Sequence, residues 1–260
     1  MFLEDVISKL EELSPPSFAE SWDNSGLMCG RNRKEVKNIL LSVDATDSVV
    51  EEAVLTGADL LLTHHPLIFT SISHISENDI TGRRLLKLIS SDIACYAMHT
   101  NFDVVGMADE AADRLDLKDR AVLMVTSEDS LSKEGIGRVG DLGQEMTLAD
   151  CAEMVKDVFL VDSVRVYGDT AKKVKRAAIS PGSGKKMSKY AIAASADVLI
   201  TGDMDHHEGI DAVACGLAVI DAGHWGIEKI FCTYMRDFII KEMPGINVSI
   251  ASQASPFTVI

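Results

Sequence analysis

The chain has 260 residues, with 40 acidic side chains against 25 Lys plus Arg and a formal net charge of −15. This length accommodates one large domain or two small ones around a sizeable core. A hydrophobic share of 47% and a charged share of 25% are ordinary globular values and argue against general disorder. The acidic balance argues against a broad basic face for nucleic acid and against docking on an anionic membrane.

Cysteine usage and the first residues bear on the cellular compartment. The five cysteines are scattered and form no CxxC pair, which is typical of reduced thiols in the cytoplasm. The opening MFLEDVISKLEEL is an acidic amphipathic pattern rather than a signal peptide. No apolar run reaches the ~18 residues of a membrane span. We therefore expect a cytoplasmic protein without a membrane partner.

Helical and strand patterns alternate along the first half of the chain. In chain order they predict a helix that stops at Pro15, a strand at 37–43, a helix at 48–56, a strand at 59–63, a helix at 81–89 and a strand at 93–98. Strands that alternate with single helices are typical of parallel βαβ units. The predicted fold class is therefore α/β.

The same order returns in the second half of the chain. There the patterns predict a strand at 174–180, a helix at 186–194, a strand at 197–201, a helix at 207–215 and a strand at 217–221. Residues 36–65 and 174–203 align without a gap and share eight identities, where average composition gives roughly two. The stretch of about 120–173 between them is predicted to hold a hairpin and a helix at 148–158.

This internal similarity predicts two related α/β halves that arose by duplication. We place the first half at residues 1–122 and the second at 123–260, and allow the C-terminal strand to return to the first half. The alternative is that any two βαβ units share apolar patterns. Matched Ser, Asp, Thr and His positions favour duplication.

Imidazoles follow several of the predicted strands. His64 and His65 follow LLLT, His99 follows YAM, and His224 follows VIDAG. Because ligands bind outside the carboxyl ends of parallel strands, these side chains are candidates for a site. Carboxylates stand four residues after the last two of these histidines. The mixed set is His64, His65, Asp103, His224 and Glu228.

A set of imidazoles and carboxylates suits Zn, Fe, Mn or Ni. Three imidazoles and two carboxylates exceed the needs of one tetrahedral ion, and a bridging carboxylate would hold two ions about 3.5–4 Å apart. For each histidine alone, the alternative is a hydrogen-bonded structural residue. The adjacent pair and the repeated acidic partners favour metal binding. His99 is open to either role, ligand or support, and we favour support of the ligands.

Two further segments carry polar chemistry in the second half. In TGDMDHHEG, His207 is a candidate for proton transfer, and Asp203 is either a site residue or a helix N-cap. In PGSGKK, Gly182, Gly184 and Lys185 are candidates for holding an anionic substrate, although the P-loop spacing is absent. The alternative for the second segment is a tight turn with solvated lysines.

Several motifs together resemble one family. They are WDNSGLMCG (22–30), LLTHHPLIF (61–69), HTNFD (99–103), PGSG (181–184), TGDMDHHEGIDA (201–212) and DAGHWGIEK (221–229). In this order they resemble the Nif-three-like family, whose members are named GTP cyclohydrolase I type-two homologues. The resemblance covers nearly the whole chain. Phe102 stands where the family often has Leu, and this leaves the ligand positions intact.

The resemblance implies a two-domain α/β protein with a dinuclear metal site in the cleft between its halves. The family's ligands carry over to the five residues of the mixed set, and His207 matches a site-lining histidine. A ring-shaped homohexamer is also implied. The length corresponds to the short form of the family, without an inserted domain.

The function that follows is a metal-dependent hydrolase acting on a nucleotide or a phosphorylated small molecule, with GTP ring opening as the substrate class that the resemblance implies. We predict two divalent ions as cofactors, and His207 and His99 as the groups that handle protons. The alternative is a non-catalytic metal-binding or regulatory scaffold with protein partners. A ring that interacts with DNA is a third possibility, against which the net charge of −15 argues.

Overall fold

The computed structural model describes residues 1–128 and 132–260. The chain divides into two compact units, the first comprising residues 1–102 and 231–254, and the second residues 103–230 and 255–260. The boundary predicted after residue 122 falls inside a strand of the second unit. As a division between two duplicated halves it stays a prediction.

The helices and strands follow one another in the alternating order expected. Through residue 114 they are α1 (Leu3–Leu13), a 3₁₀ turn (Pro16–Phe18), β1 (Gly26–Cys29), β2 (Asn38–Ser42), α2 (Asp47–Leu55), β3 (Leu60–Thr63), α3 (Ile80–Ser90), β4 (Ala94–Ala97), α4 (Thr100–Phe102), a π-helical turn (Asp103–Met107) and α5 (Ala108–Arg114). The remainder are β5 (Lys118–Glu128), β6 (Lys133–Thr147), α6 (Leu148–Phe159), β7 (Arg165–Tyr167), β8 (Lys173–Ser183), α7 (Ser188–Ala193), β9 (Val198–Gly202), α8 (His206–Ala214), β10 (Ala218–Asp221), α9 (His224–Glu228), α10 (Ile230–Glu242) and β11 (Asn247–Ile250).

The sheet of the first unit has the strand order β1-β4-β3-β2-β11. Strands β11, β2, β3 and β4 run parallel, and β1 lies antiparallel at the edge. Helices α2 and α3 make the crossovers that parallel neighbours require. Thr46 caps α2 by accepting a hydrogen bond from the Val49 amide, and Gly57, with φ of +65°, follows its end.

The core of the first unit lies where these crossover helices cover the sheet. Strand residues Leu40, Leu61 and Cys95 are at most 1% exposed. One cluster contains them together with apolar side chains of both helices, namely Val49, Val50, Ala53, Leu85 and Leu88. Burial of this apolar surface is the main force that holds the helices on the sheet.

The sheet of the second unit has the order β5-β6-β8-β9-β10-β7. Strands β8, β9 and β10 are parallel, whereas β5, β6 and β7 pair antiparallel with their neighbours. The predicted hairpin corresponds to β5 and β6, and residues 129–131 between them lie outside the described part of the chain. Its core cluster brings together Ala178, Leu199 and Val219 of the strands with Ala191 of α7 and Ala212 of α8.

These two sheets confirm the α/β prediction with two related halves. Strands β1 and β7 and helices α4, α5, α9 and α10 were not predicted. Strand β11 pairs with β2 in the first sheet, which is the place allowed for the C-terminal strand, although its bounds were not predicted. The three strands have three or four residues each and contain no fully buried position, so they lack the apolar runs by which the inner strands were recognised. Within residues 1–128 and 132–260, no helix combines the length and apolar character needed to cross a bilayer.

Candidate functional site

Three imidazoles meet at the carboxyl ends of β3 and β4 in the first unit. His64 and His65 follow β3 directly, and His99 stands two residues beyond β4. One ligand nitrogen from each lies within 4.8 Å of the others, and the ring centroids are 4.9–5.4 Å apart. His64 is buried, whereas the other two are half-buried. This group could hold a metal ion.

The backbone extends the sheet past β3 and so fixes where the adjacent pair begins. The amide of His64 donates to the Ser42 carbonyl over 3.2 Å, and that of His65 to the Val43 carbonyl over 2.9 Å. The Thr63 hydroxyl donates to the His65 carbonyl over 2.8 Å. These bonds continue the ladder with β2, so the pair inherits the rigidity of the parallel sheet.

Each of the three imidazoles is held at Nδ1 by an acceptor of its own. Asp44 lies 2.7 Å from Nδ1 of His65, Asp23 2.8 Å from Nδ1 of His99, and the Met98 carbonyl 2.8 Å from Nδ1 of His64. A carboxylate or carbonyl oxygen only accepts, so Nδ1 carries the proton and Nε2 of the neutral ring keeps its lone pair. This is the tautomer that metal-binding histidines use.

Asp23 orients His99 through a carboxylate that is itself fully engaged. Its side chain is 0% exposed and accepts hydrogen bonds from Nδ1 of His99, the amide and hydroxyl of Thr100 and the hydroxyl of Ser25. Burial alone raises the pKa of Asp23, but the hydrogen bonds from His99, Thr100 and Ser25 together hold that pKa well below its usual range. Asp23 therefore stays ionised and keeps the His99 ring in one orientation.

The second unit brings together one imidazole and one carboxylate that follow β10, and a second carboxylate from the π-helical turn. His224 begins α9 and Glu228 stands one turn later, with Nε2 of His224 at 3.0 Å from Oε2 of Glu228. A carboxylate oxygen of Asp103, in the π-helical turn, lies within 4.8 Å of one of Glu228. Nε2 of His224 and Oε2 of Glu228 would repel each other if both presented lone pairs. This close approach therefore requires a positive charge, either a proton on the imidazole or a bound cation.

Asp203 supports this second group and does not cap a helix. Its carboxylate accepts a hydrogen bond from Nδ1 of His224 over 2.9 Å. The N-cap of α8 is Asp205, which accepts from the amides of His207 and Glu208. The N-cap alternative for Asp203 is therefore wrong, because the loop after β9 turns at Asp203 itself, with φ of +50°, and the helix starts later.

The PGSG turn after β8 packs against the second group. Gly182 has a φ of +73°, and a Cβ added there would lie 2.3 Å from Oε1 of Glu228. A Cβ on Gly184 would lie 2.6 Å from Cγ2 of Thr201. These glycines therefore leave room for a carboxylate and for the neighbouring strand.

The amides of the same turn are engaged within the chain. The amide of Gly184 donates to the Gly202 carbonyl over 2.7 Å, that of Lys185 to the Ser183 hydroxyl over 3.4 Å, and that of Lys186 to the Glu208 carboxylate over 2.9 Å. An anion-binding role of Gly182, Gly184 and Lys185 stays a prediction.

The whole chain matches one family of proteins. Residues 1–256 match the profile of Duf34/NIF3, described as NGG1p interacting factor 3. The chain belongs to the Duf34/NIF3 family. A curated relative from Clostridium perfringens, named GTP cyclohydrolase 1 type 2 homolog, is 37% identical over 88% of this chain and 87% of its own.

Solved protein structures share the fold of this chain. A Staphylococcus aureus protein is 30% identical and superposes with a TM-score of 0.89 over 100% of this chain and 99% of its own. A Bacillus cereus protein related to NIF3, 24% identical, superposes with a TM-score of 0.91 over the same shares of the two chains. The resemblance drawn from the motifs is thereby confirmed at the level of family and fold.

The structure brings several of the predicted site residues together. In the first unit His64, His65 and His99 form one group, and in the second unit His224 pairs with Glu228, which also lies near Asp103. His207 lies exposed in the first turn of α8, with its ring 5.2 Å from that of His206. Of the basic segment around the PGSG turn, Lys172 donates to the carbonyls of Asp197 and Gly216, a structural role.

Sequence reasoning missed the acceptors that orient the imidazoles. Asp44 stands two residues beyond β2, so its place after a strand end was a signal that could have been used. Asp23 gave no such signal, because it reaches His99 from a loop 76 residues earlier in the chain. Only the fold brings that carboxylate to the imidazole.

Proposed function

We propose that this chain is a dinuclear metal-binding protein that acts as a metal-dependent hydrolase on a nucleotide or phosphorylated small molecule. The proposed ligands are His64, His65, Asp103, His224 and Glu228. The observation that carries the proposal is that each of the three histidines has an oxygen acceptor at Nδ1, which makes Nε2 the nitrogen that would bind a cation.

The donor set fits divalent ions of the Zn, Fe, Mn or Ni type. It offers imidazole nitrogens and carboxylate oxygens without a thiolate, and Glu228 has the two oxygens that a bridging ligand needs. When bound, two such ions lower the pKa of a shared water and polarise the group to be hydrolysed. Side chains already held by a second layer of hydrogen bonds need little rearrangement to bind them.

His99 and His207 would handle protons in this proposal. His99 is suited to the task because Asp23 fixes its ring and stabilises the imidazolium that forms when Nε2 takes up a proton. His207 is exposed and would exchange protons with solvent. The Gly182, Gly184 and Lys185 turn would contact the anionic part of the substrate, with Lys185 contributing a positive charge.

The names of relatives support a nucleotide as the substrate. Several curated relatives carry the name GTP cyclohydrolase 1 type 2 homolog, and opening of the purine ring of GTP is the reaction class which that name suggests. The family description as an interacting factor favours the second candidate, a non-catalytic metal-binding scaffold with protein partners. A cytoplasmic location and a homohexameric ring belong to the same proposal.

Metal content tests the ligand assignment. We expect His65→Ala and Glu228→Ala each to retain at most one tightly bound ion per chain, measured by inductively coupled plasma mass spectrometry after dialysis. His74→Ala is the matched control, because His74 lies on an exposed loop and its ring is hydrogen-bonded to its neighbour Ser73. Two ions retained in both ligand variants would overturn the assignment.

Turnover separates the two candidate functions. Protein loaded separately with Zn, Mn and Fe is incubated with nucleotides, phosphoesters and cyclic amides. Hydrolysis that is lost in Glu228→Ala and kept in His74→Ala supports the hydrolase. Two bound ions without any turnover would favour the scaffold.

A further inference from the structure

Two exposed aromatic side chains lie beside the imidazoles of the first unit. Trp22 is 63% exposed and Phe69 is 54% exposed. Their ring centroids lie 5.9 Å and 5.7 Å from that of His99, and their planes make angles of 78° and 89° with the His99 ring. Phe69 also lies 6.3 Å from His65. Both rings thus border the group that could hold a metal ion.

The loops that carry these two rings are tied to each other and to His99. The side-chain amide of Asn24 donates to the Ile68 carbonyl over 2.6 Å, which joins the segment after Trp22 to the residue before Phe69. Asp23, next to Trp22, accepts from Nδ1 of His99 over 2.8 Å. The aromatic rings are therefore displayed from a braced backbone, which lowers the conformational entropy that a ligand would have to remove.

Large aromatic side chains are exposed against the tendency of their apolar surface to be buried. When such side chains stand together beside convergent polar groups, they are typical of a ligand site. Here the polar group is the His99 imidazole, which Asp23 holds with the proton on Nδ1, so Nε2 is left to accept a hydrogen bond. A flat ring with polar atoms on its edge satisfies both features, since its face stacks on an aromatic side chain and its edge meets the imidazole.

We propose that Trp22 and Phe69 form a stacking subsite beside His99 for the flat heteroaromatic ring of an anionic ligand, a purine nucleotide being the representative. This inference deepens the proposed function, on which it rests, by assigning the residues that recognise the ring. An aliphatic sugar phosphate lacks the ring face and would not use the subsite. The polar His99 beside both rings distinguishes the subsite from a continuous apolar patch of the kind that docks another protein.

The test measures binding rather than turnover. Guanosine 5′-monophosphate and ribose 5-phosphate serve as probes, because they share the phosphate and the sugar and differ in the ring. Calorimetry on metal-loaded protein is expected to give at least tenfold tighter binding of the nucleotide. Trp22→Ala and Phe69→Ala should each weaken nucleotide binding about tenfold and leave ribose 5-phosphate unchanged. Trp22→Phe, which keeps a ring face, should restore most of the affinity.

Phe2→Ala is the matched control, because Phe2 is 50% exposed at the start of α1 and makes its capping hydrogen bond through its backbone. Nucleotide binding unaffected by Trp22→Ala and Phe69→Ala, or no preference for the nucleotide over ribose 5-phosphate, would overturn the subsite. Sedimentation that shows a changed oligomeric state in these variants, with unchanged nucleotide affinity, would assign the rings to a contact between copies of the chain instead.

Metal content is measured on the same samples and separates the two proposals. Loss of nucleotide binding in Trp22→Ala with both ions retained supports the subsite. Retained ions with no effect of either aromatic variant contradict the subsite alone. Failure of the unaltered chain to retain metal contradicts the proposed function, and the binding comparison between the two probes still decides whether the rings recognise a base.

Discussion

The two units build the same four-stranded core and place different chemistry on it. In the first, β1 pairs antiparallel with β4, and β4, β3 and β2 run parallel; in the second, β7, β10, β9 and β8 repeat this arrangement. The register is also shared, since Ile39 pairs with Leu60 in one sheet and Ala177 with Val198, each 138 residues later, in the other.

The shared framework includes an aspartate that accepts hydrogen bonds from backbone amides at the start of a parallel strand in each sheet. Asp59 accepts hydrogen bonds from the amides of Lys37 and Asn38, and Asp197 accepts from those of Lys175 and Arg176, all at 2.9–3.0 Å. These contacts satisfy backbone donors that the ladder leaves open. The amino ends of the strands are thus held by the same aspartate–amide hydrogen bonds in both units.

The carboxyl ends of the strands have diverged. The place of Asp44, which orients His65 in the first unit, is taken by Gly182 in the second, and the place of His65 is taken by Asp203. One unit therefore presents three imidazoles and the other a single imidazole with carboxylates. The two sheets keep the same strand order and register although these side chains differ, so the framework tolerates their exchange.

Gly182→Ala is the change with the largest expected effect. The new Cβ needs the space of Glu228 Oε1, 2.3 Å away, so the carboxylate must rotate out of its position. We expect metal affinity, measured by competition with a chelator, to fall by about tenfold or more. Gly216→Ala is the control, since Gly216 has a φ of +87° and a Cβ there meets nothing within 4 Å.

The Gly216→Ala control separates the cost of backbone strain from the steric clash between a Cβ at position 182 and the Glu228 carboxylate. Both substitutions put Ala in the left-handed region, which costs about 1 kcal/mol in the free energy of unfolding. Gly216→Ala should show this loss alone, with unchanged metal affinity. Equal metal affinity in the two variants would mean that the glycine at 182 does not serve the second group.

Removal of the paired aspartates tests whether the frameworks are equivalent. Asp59→Ala and Asp197→Ala each leave two backbone amides without their carboxylate, and each should lower the free energy of unfolding by about 2 kcal/mol in urea titrations. The corresponding Asn variants keep one acceptor oxygen and should lose about half as much. If one Ala variant loses less than half as much free energy of unfolding as the other, the two aspartates do not play equivalent roles.

A smaller effect is expected where the helix pairs differ. In the first unit Asp47 of α2 binds Arg83 and Arg84 of α3, whereas in the second Glu208 of α8 accepts from the Lys186 amide and the Ser188 hydroxyl. The guanidinium groups hold the pKa of Asp47 well below its usual range. Because the pKa of Asp47 is lower in the folded than in the unfolded chain, its ionised form stabilises the folded state at pH values above the unfolded pKa of about 4. This contribution to the free energy of unfolding is lost as the pH falls from there through the folded-state pKa.

The pH dependence follows from this sign. Because Asp47 is half exposed, salt screens the bridge and Asp47→Asn should cost less than about 1 kcal/mol at low ionic strength. We expect the difference in melting temperature between the variant and the unaltered chain to vanish in 1 M NaCl, and to shrink steadily as the pH falls from about 4 towards the depressed pKa of Asp47. The Glu208→Gln difference should change little with salt, because its partners are an amide and a hydroxyl. If the melting-temperature difference of Glu208→Gln also disappears in 1 M NaCl, the two helix pairs do not differ in the way proposed.

Most of the fold could be predicted because the inner strands carry their own signal. NILLS, LLLT and VLITG are apolar runs bounded by helical patterns, and burial on both faces requires such runs. The edge strands could not be predicted in this way. β7 and β11 expose part of every residue, so their stability comes from backbone pairing with a neighbour rather than from an apolar pattern of their own.

The candidate ligands could be proposed from position, but their environment could not. A histidine after a parallel strand lies at the edge where ligands bind, and this rule selected His64, His65 and His224. Whether such an imidazole is oriented depends on its partner, and partners come from distant segments, as with Met98 for His64 and Asp23 for His99. The need for a glycine at 182 depends on the position of Glu228, which no local pattern encodes.

The pairing of β11 with β2 has a consequence for the order of events during synthesis. β2 lies near the start of the chain, yet the strand that pairs with its outer edge is β11, at residues 247–250. All strands of the second sheet lie between residues 118 and 221, so that sheet can be completed on the ribosome while the first still has an open edge. The first unit therefore begins to be translated first but receives its last strand only after the second sheet is complete. Until then the unpaired edge of β2 is where a nascent chain would form wrong strand pairings.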